Sequence, residues 1–481
     1  MGHFDKCYAA LPLWAQNAAV SAFGLYWHWL RFGPGYADAV AGYEGRKRYT
    51  KEAWQAWQKE QVATLLRLAA EHVPCYRSTW TSAEKRAARQ GHLEGLPLLG
   101  KEPLRADPWA FVSDNISVRR PLVFHTSGST GTPVASIWTR RELRNSLALR
   151  EVRSARWAGV SFNLPRATFP GRMVEPDPES TGPFYRFNAV ERQVYLSAFH
   201  LRPDTAAAYL GALGRHHVQW LTGYAFSYYL LAKFILEQRL SPPPIRAIVT
   251  TSEKVTSEMR QVMEAAFRCK VFEEYSTVEN VVFASECRHG KLHVSLDACV
   301  LEILRPDGNP CASGEVGEVV ATCLMRDYQP LVRFRLGDLA AWDPEPCLCG
   351  SSMPVLKEVV GRVEDVVVGP DGRQMVRFHG IFVGQPRVIE GQIVQERLDR
   401  IRVKVVGTRD FGPADEQEII ARVQQRLGPR VQVVVEKVDA IPRTKAGKFK
   451  AVVSLLTPAE REEITIATAS ARRVPEYEAA K

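Results

Sequence analysis

Between residues 120 and 340, short runs of β-branched and aromatic residues alternate with helical stretches. Pro121–Phe124 precedes the helical pattern of Glu142–Arg156; Ala247–Thr251, Ser257–Phe267 and Lys270–Glu274 read as strand, helix and strand. Such alternation predicts a layered α/β fold. Upstream, residues 1–100 read as mainly helical. Trp54, Trp57, Val62, Leu65, Leu66 and Leu68 approximate helical spacing, and Pro34 and Pro74 punctuate the region. Ser241-Pro242-Pro243-Pro244 is a rigid connector ahead of a strand. The pattern changes near Gly361. Residues 362–456 read as a small α+β module. Gly369-Pro370-Asp371-Gly372 is a hairpin turn between Val366–Val368 and Gln374–Val376, and the helix Asp415–Leu427 separates the β-rich runs Ile401–Val406 and Val431–Val435. The charged, Ala-rich residues 457–481 read as a mobile or helical tail. Segments 1–100 and 101–361 are thus expected to form one large domain, and 362–456 a small one.

The 481 residues carry 63 Lys+Arg against 53 Asp+Glu, a formal charge of +10, with 46% hydrophobic and 24% charged residues. That is a globular composition, and the modest positive charge suits an anionic small molecule better than it argues for nucleic acid. The uncharged stretch Cys7–Leu30 is interrupted by Pro12, Gln16, Asn17 and His28, so no spanning segment is expected. No secretory signal is apparent, and nine cysteines suit reduced thiols in the cytoplasm.

The most informative segment is His125-Thr126-Ser127-Gly128-Ser129-Thr130-Gly131-Thr132-Pro133, directly after a strand-like run. Glycines let backbone approach a ligand closely, and hydroxyls with exposed N–H groups can wrap phosphate oxygens. It is not a Walker loop, because no Gly-Lys-Ser/Thr follows. A kinase-like phosphoryl transferase is excluded as well: it needs a Walker lysine or a catalytic-loop Asp/Asn set.

This run resembles the phosphate loop of the adenylate-forming superfamily. Four further segments resemble that family's motifs in order: Tyr275-Ser276-Thr277-Val278-Glu279, Phe334-Arg335-Leu336-Gly337-Asp338-Leu339, Gly361-Arg362-Val363-Glu364-Asp365 and Pro442-Arg443-Thr444-Lys445-Ala446-Gly447-Lys448. Within the superfamily the chain is most similar to the phenylacetate–CoA ligase branch, and to CapK-like proteins in particular. Softer patterns carry that: Leu11-Pro12-Leu13 to Arg31-Phe32-Gly33, His200, Gly223-Tyr224, Glu279 to His293, and Gln385–Gln395.

The resemblance implies a large N-terminal α/β domain of layered sheets and helices with a small mobile α+β C-terminal domain. It implies ATP-dependent activation of a carboxylic acid as an acyl-adenylate with release of pyrophosphate, followed by thioester formation with coenzyme A. Transfer to an amine, a hydroxyl or a carrier-protein thiol is the alternative. By resemblance, Thr126, Ser127, Gly128, Ser129, Thr130 and Gly131 hold phosphates, and Tyr275 and Ser276 border adenine with Ser252 and Glu253. Asp338 takes the ribose hydroxyls and Glu279 holds Mg²⁺. Arg362 and Lys448 serve the phosphates, and Glu364 and Asp365 form the hinge. Two departures stand out. Val278 replaces the usual hydroxyl residue before Glu279, and Gly369-Pro370-Asp371-Gly372-Arg373 stands where many relatives line the thiol tunnel, which bears on coenzyme A use.

Cys287 and His293, five residues apart, and the pair Cys347-Leu348-Cys349 together offer a Cys₃His set of the kind that holds structural Zn²⁺, with His289 as the alternative nitrogen ligand. Some phenylacetate–CoA ligase relatives bind zinc at similarly placed residues. For the acid, His200, Gly223 and Tyr224 are candidates, with Phe199 and Ser227-Tyr228-Tyr229 nearby, and the aromatics hint at an aryl or hydrophobic acid. Arg166 and Arg172 fall in the Pro/Gly-rich segment Leu164–Met173, read as a loop able to meet a carboxylate or phosphate.

Overall fold

The computed structural model describes Tyr8 and residues 11–126, 134–170, 174–175, 177, 180–362, 367–370, 374–375, 381–382, 385–444, 449–457 and 460; of 362, 374 and 375 only the backbone is described. Residues 127–133, 172, 364–365 and 445–448 therefore lie outside the described residues, as does nearly all of the 457–481 tail. The chain divides into two compact units, the second beginning at Val360.

Helices open the first unit: α1 (Leu13–Phe32), α2 (Tyr36–Gly45), α3 (Lys51–His72), α4 (Pro74–Thr79), α5 (Ser82–Gln90) and α6 (Lys101–Ala106). Their ends follow local chemistry. Thr50 caps α3 by accepting from the Ala53 N–H at 3.2 Å, and Thr81 and Glu84 form a reciprocal capping box on α5. Along α3, Trp54, Val62, Leu65, Leu66, Ala69 and Ala70 are buried on one stripe. Val62, Leu66, Ala69 and Ala70 join a core shared with Phe283, Val294, Val319 and Phe334, so the helical segment and the sheet are one packed body. On α1, Gln16, Gly24 and Leu30 are buried, whereas Trp14 and Leu25 are exposed. Among the described residues no helix is long and apolar enough to cross a membrane.

Next come β1 (Leu122–His125), β2 (Ala135–Trp138), α7 (Arg140–Arg150), β3 (Arg166–Phe169), β4 (Tyr185–Asn188), β5 (Gln193–Leu196), α8 (Ala206–Arg215), β6 (Trp220–Tyr224), α9 (Ala225–Glu237), β7 (Ala247–Thr251), α10 (Ser257–Phe267), β8 (Lys270–Ser276), β9 (Phe283–Glu286), β10 (Leu292–Val294), β11 (Cys299–Leu304), β12 (Gly317–Cys323), β13 (Phe334–Trp342) and β14 (Val355–Arg362). β1 and β2 form a separate antiparallel hairpin. The other strands make a twelve-stranded sheet ordered β11-β12-β13-β14-β10-β9-β8-β7-β6-β3-β5-β4. Strands β5, β3, β6, β7 and β8 run parallel, and β4 and β9 flank them antiparallel. The parallel block is the strand–helix alternation legible in the sequence; its carboxyl-end crevice is where such sheets bind ligands.

The helix expected over Glu142–Arg156 is divided. α7 starts at Arg140 behind a Thr139/Glu142 capping box, and residues Glu151–Ala155 continue it as a π-turn. Inserted turns of this kind recur at functional sites. Here the turn carries Arg153, fully buried and paired with Asp297 at 2.7 Å.

The second unit contains β15 (Val367–Val368), β16 (Gln374–Met375), β17 (Val388–Arg397), β18 (Arg400–Gly407), α11 (Pro413–Leu427), β19 (Gln432–Lys437) and β20 (Val452–Ser454). Its four-stranded sheet is ordered β19-β18-β17-β20. Pro413 opens α11 and Gly428 follows its end, as missing N–H and free φ favour. Ile419, Val423 and Leu427 bury one face of α11 against Ile393, Ile401, Val403 and Val405. Gly369 packs so closely that a Cβ there would sit 2.1 Å from the Leu427 carbonyl oxygen. That is a packing reason for a glycine at the first position of the 369–373 segment.

Candidate active site

The β1–β2 hairpin holds the base of the 127–133 loop. The Thr126 N–H donates to the Val134 carbonyl at 3.0 Å, and the Thr126 hydroxyl accepts from the Val134 N–H at 2.9 Å. Thr126 is thus a clamp across the loop's mouth; Ser127, Gly128, Ser129, Thr130 and Gly131 lie outside the described residues.

Tyr275 and Ser276 end β8, and Glu279 follows in a turn closed by the Asn280 N–H to the Thr277 carbonyl at 3.0 Å. The Tyr275 hydroxyl donates to Asp338 Oδ2 at 2.8 Å. Asp338 is buried in β13, next to Gly337 with φ +75°. Two segments sixty residues apart in sequence are thereby joined, although one Asp338 oxygen already has a protein donor. Glu279 is 6% exposed, and its carboxylate accepts no hydrogen bond from the described residues. Burying a carboxylate without a hydrogen-bond donor is costly, and a cation at its open oxygens would offset that cost.

Arg326, which the sequence reading missed, ties these parts together. It is 1% exposed, and its Nη1 donates to Ser136 Oγ and to the Glu279 carbonyl, each at 2.8 Å. Its Nη2 reaches the Ile137 carbonyl, and Gln329 Oε1 accepts from the Ile137 N–H at 2.9 Å. The hairpin bearing the loop and the turn bearing Glu279 therefore meet on one guanidinium. The available signal was a charged side chain directly after the apolar run Cys323–Met325.

At the ends of β6 and β7, Ser252 adopts φ +70°, a conformation rare outside glycine. The Glu253 carboxylate accepts from the Phe226 N–H at 2.8 Å, capping α9. Gly223, at φ +125°, is needed for backbone packing: a Cβ would lie 2.5 Å from the Phe169 carbonyl oxygen. Gly223, Tyr224 and Ser252 line a cavity of about 290 Å³ on the face of the parallel strands toward α7.

His200 is not among the residues lining that cavity. It is 2% exposed, its ring nitrogens face Ser197 Oγ at 2.8 Å and the Asp177 carbonyl at 2.7 Å, and it stacks on Phe184. Tyr228 is fully buried, with its hydroxyl on the Thr222 carbonyl at 2.8 Å. Arg166, read as part of a loop, begins strand β3 and is 3% exposed, because β5 and β6 pair with that segment on both sides. It bonds Glu191 at 2.6 Å and Gln193 at 2.7 Å. Of Arg362 only the backbone is described, as the last residue of β14. Glu364, Asp365 and Lys448 lie outside the described residues.

Away from this site, Cys287, His293, Cys347 and Cys349 converge, with ligand atoms all within 4.8 Å of one another. Cys287 follows β9 and His293 lies in β10, so the turn at Gly290 (φ +74°) brings them together. Cys287 and Cys347 sulfurs are 3.5 Å apart, and Cys349 Sγ is 3.3 Å from His293 Nε2. Ligands about 2.3 Å from a tetrahedral centre sit about 3.8 Å apart, so the set fits one ion. The His293 Nδ1 faces the Met353 carbonyl at 3.0 Å, fixing the ring, and burial lowers its pKa, leaving a neutral imidazole to coordinate. Backbone N–H groups of His289, Cys349 and Ser351 donate to Cys287, Cys347 and Cys349 sulfurs at 3.4 Å, as thiolates favour. His289 is outside the cluster.

Residues 368–455 match the model of the CapK C-terminal domain. The chain is 27% identical over 373 residues to Protein CapK of Staphylococcus aureus, covering 76% of this chain and 80% of that one. It is 24% identical over 452 residues to the phenylacetate-coenzyme A ligase of Thermus thermophilus, covering 84% and 97%. Among solved structures, 2-hydroxyisobutyryl-CoA ligase in the postadenylation state aligns with a TM-score of 0.66 at 21% identity over 89% of this chain and 94% of that one, a likeness of fold. In sequence and fold, this chain is thus similar to the phenylacetate–CoA ligase and CapK-like group of adenylate-forming proteins.

Proposed function

We propose that the protein is an AMP-forming ligase: it activates a carboxylic acid with ATP as an acyl-adenylate and passes the acyl group to the thiol of coenzyme A. The observation that carries this reading is the meeting of the loop-bearing hairpin and the Glu279 turn on Arg326, beside the Tyr275–Asp338 pair. Attack of a carboxylate on the α-phosphate brings two anions together and expels a third, so a site for it needs preorganised donors and positive charge. The 127–131 loop would wrap the phosphates with N–H and hydroxyl donors. Asp338, held by Tyr275, would accept from the ribose. Glu279 would hold Mg²⁺, which when bound neutralises phosphate charge. Lys448 and Arg362 would add cationic charge on the phosphates.

The Cys₃His cluster would bind one structural Zn²⁺, since four protein ligands leave no open catalytic position. The functional test is a screen of carboxylic acids with ATP and hydroxylamine. Acid-dependent hydroxamate with equimolar AMP and pyrophosphate is expected; ADP and phosphate as products would contradict the reading.

A further inference from the structure

The cavity continues inward from the strand ends. Its near rim is the register row Tyr224–Thr251–Glu274, where Arg150 and Glu274 neutralise each other at 2.5 Å. Its far end is the row Gln193–Arg166–Trp220, four residues deeper along β6 than Tyr224 and three deeper than Gly223. At about 3.3 Å per residue the far end is about 10 Å from Gly223, the length of a small aryl or six-carbon acid, and about 13 Å from the outermost row.

Two independent features mark that far end. Trp220 is 1% exposed and lines the cavity, yet its buried indole N–H has no acceptor among the described residues. Such an orphan donor forfeits a hydrogen bond unless something else supplies the acceptor. Second, Arg31 and Arg166 both line the cavity and both pair with the single carboxylate of Glu191, at 3.2 and 2.6 Å. Two guanidiniums on one carboxylate leave one positive charge in excess. Both features ask for oxygen on the ligand, which the aromatic walls alone, including Phe162, would not.

We propose that the acid activated here carries a second oxygen function, a hydroxyl or a carboxylate, at the end remote from its reacting carboxyl, and that Trp220 selects it by donating its indole N–H. The reacting carboxyl then sits at the rim beside Ser252 and Gly223, and the body of the acid lies along the strand face. This rests on the adenylation reading and narrows its substrate class.

The test uses matched acids in the hydroxylamine assay: phenylacetate against 4-hydroxyphenylacetate, and hexanoate against 6-hydroxyhexanoate and adipate. The oxygenated member of a pair should have a kcat/KM at least about tenfold higher, and Trp220→Phe, which keeps the ring and removes the donor, should erase most of that ratio. Arg31→Met, at a partly exposed position, should selectively reduce the preference for adipate; this variant is informative even if Trp220→Phe does not fold. Equal or better turnover of the unsubstituted acids overturns the inference and leaves adenylation standing. Hydroxamate from no acid of either kind overturns both.

Discussion

Glu279→Gln is expected to lower acid-dependent hydroxamate formation by about 10²–10³-fold, the usual cost of removing one preorganised charge from a polar transition state. The carboxylate is buried, with no hydrogen-bond donor among the described residues, and within the fold it attracts the buried Arg326 guanidinium without bonding to it. Glutamine keeps its size and one acceptor oxygen but not the charge that a hard divalent ion requires. The loss should therefore appear together with a strong rise in the Mg²⁺ concentration needed for half-maximal rate. Thermal stability should change little, because glutamine keeps the size and the buried Arg326 guanidinium retains Glu142 as an electrostatic partner when the Glu279 charge is removed. Wild-type activity at low Mg²⁺ would remove Glu279 from the site. Arg326→Met is the structural contrast. It leaves Ser136 and the Glu279 carbonyl without their shared donor, and should destabilise the fold as well as reduce activity.

The second large effect concerns the cysteine–histidine cluster. Wild-type protein should carry about one zinc per chain, and Cys349→Ser should retain less than about a tenth of that. Coordination energy in such a site is folding energy, so the variant should lose about 2–5 kcal/mol of stability, with a lower unfolding midpoint. Chelation of the wild type should reproduce the shift. Cys75→Ser, a half-buried cysteine outside the cluster, should keep its metal. Metal analysis finding equal zinc in wild type and Cys349→Ser would show that these four side chains do not hold it. The cluster adjoins the segment that borders the cavity: Trp157, just past the π-turn, packs edge-on to His293 at 5.6 Å, and Ser154 and Ala155 of that turn line the cavity.

Local signals carried much of the fold. Ala247–Thr251 and Ser257–Phe267 were legible to the residue, because a β-branched run and a Thr256-capped amphipathic stretch state their own conformations. The four metal-ligating candidates could be read from residue type and spacing. Features set by distant segments could not. Arg166 looks like loop because its neighbours are Pro and Gly; it is strand because β5 and β6 pair with it. Gly223 reads as a pocket residue, and it does line the cavity, but the need for glycine comes from the Phe169 backbone of a strand over fifty residues away. His200 looked free to meet a ligand, and Ser197 and Asp177 already occupy its nitrogens. Arg326 and Trp220 act through partners, present or missing, that no sequence window contains.

The central claim is that a carboxylate oxygen bonds to the α-phosphorus of ATP in this site. The most direct measurement is the fate of ¹⁸O from a doubly labelled acid turned over with hydroxylamine. Attack on phosphorus followed by capture at the carbonyl leaves one ¹⁸O in AMP and none in pyrophosphate, and that is the predicted result. Label in inorganic phosphate with ADP as co-product, or AMP free of label, would contradict it.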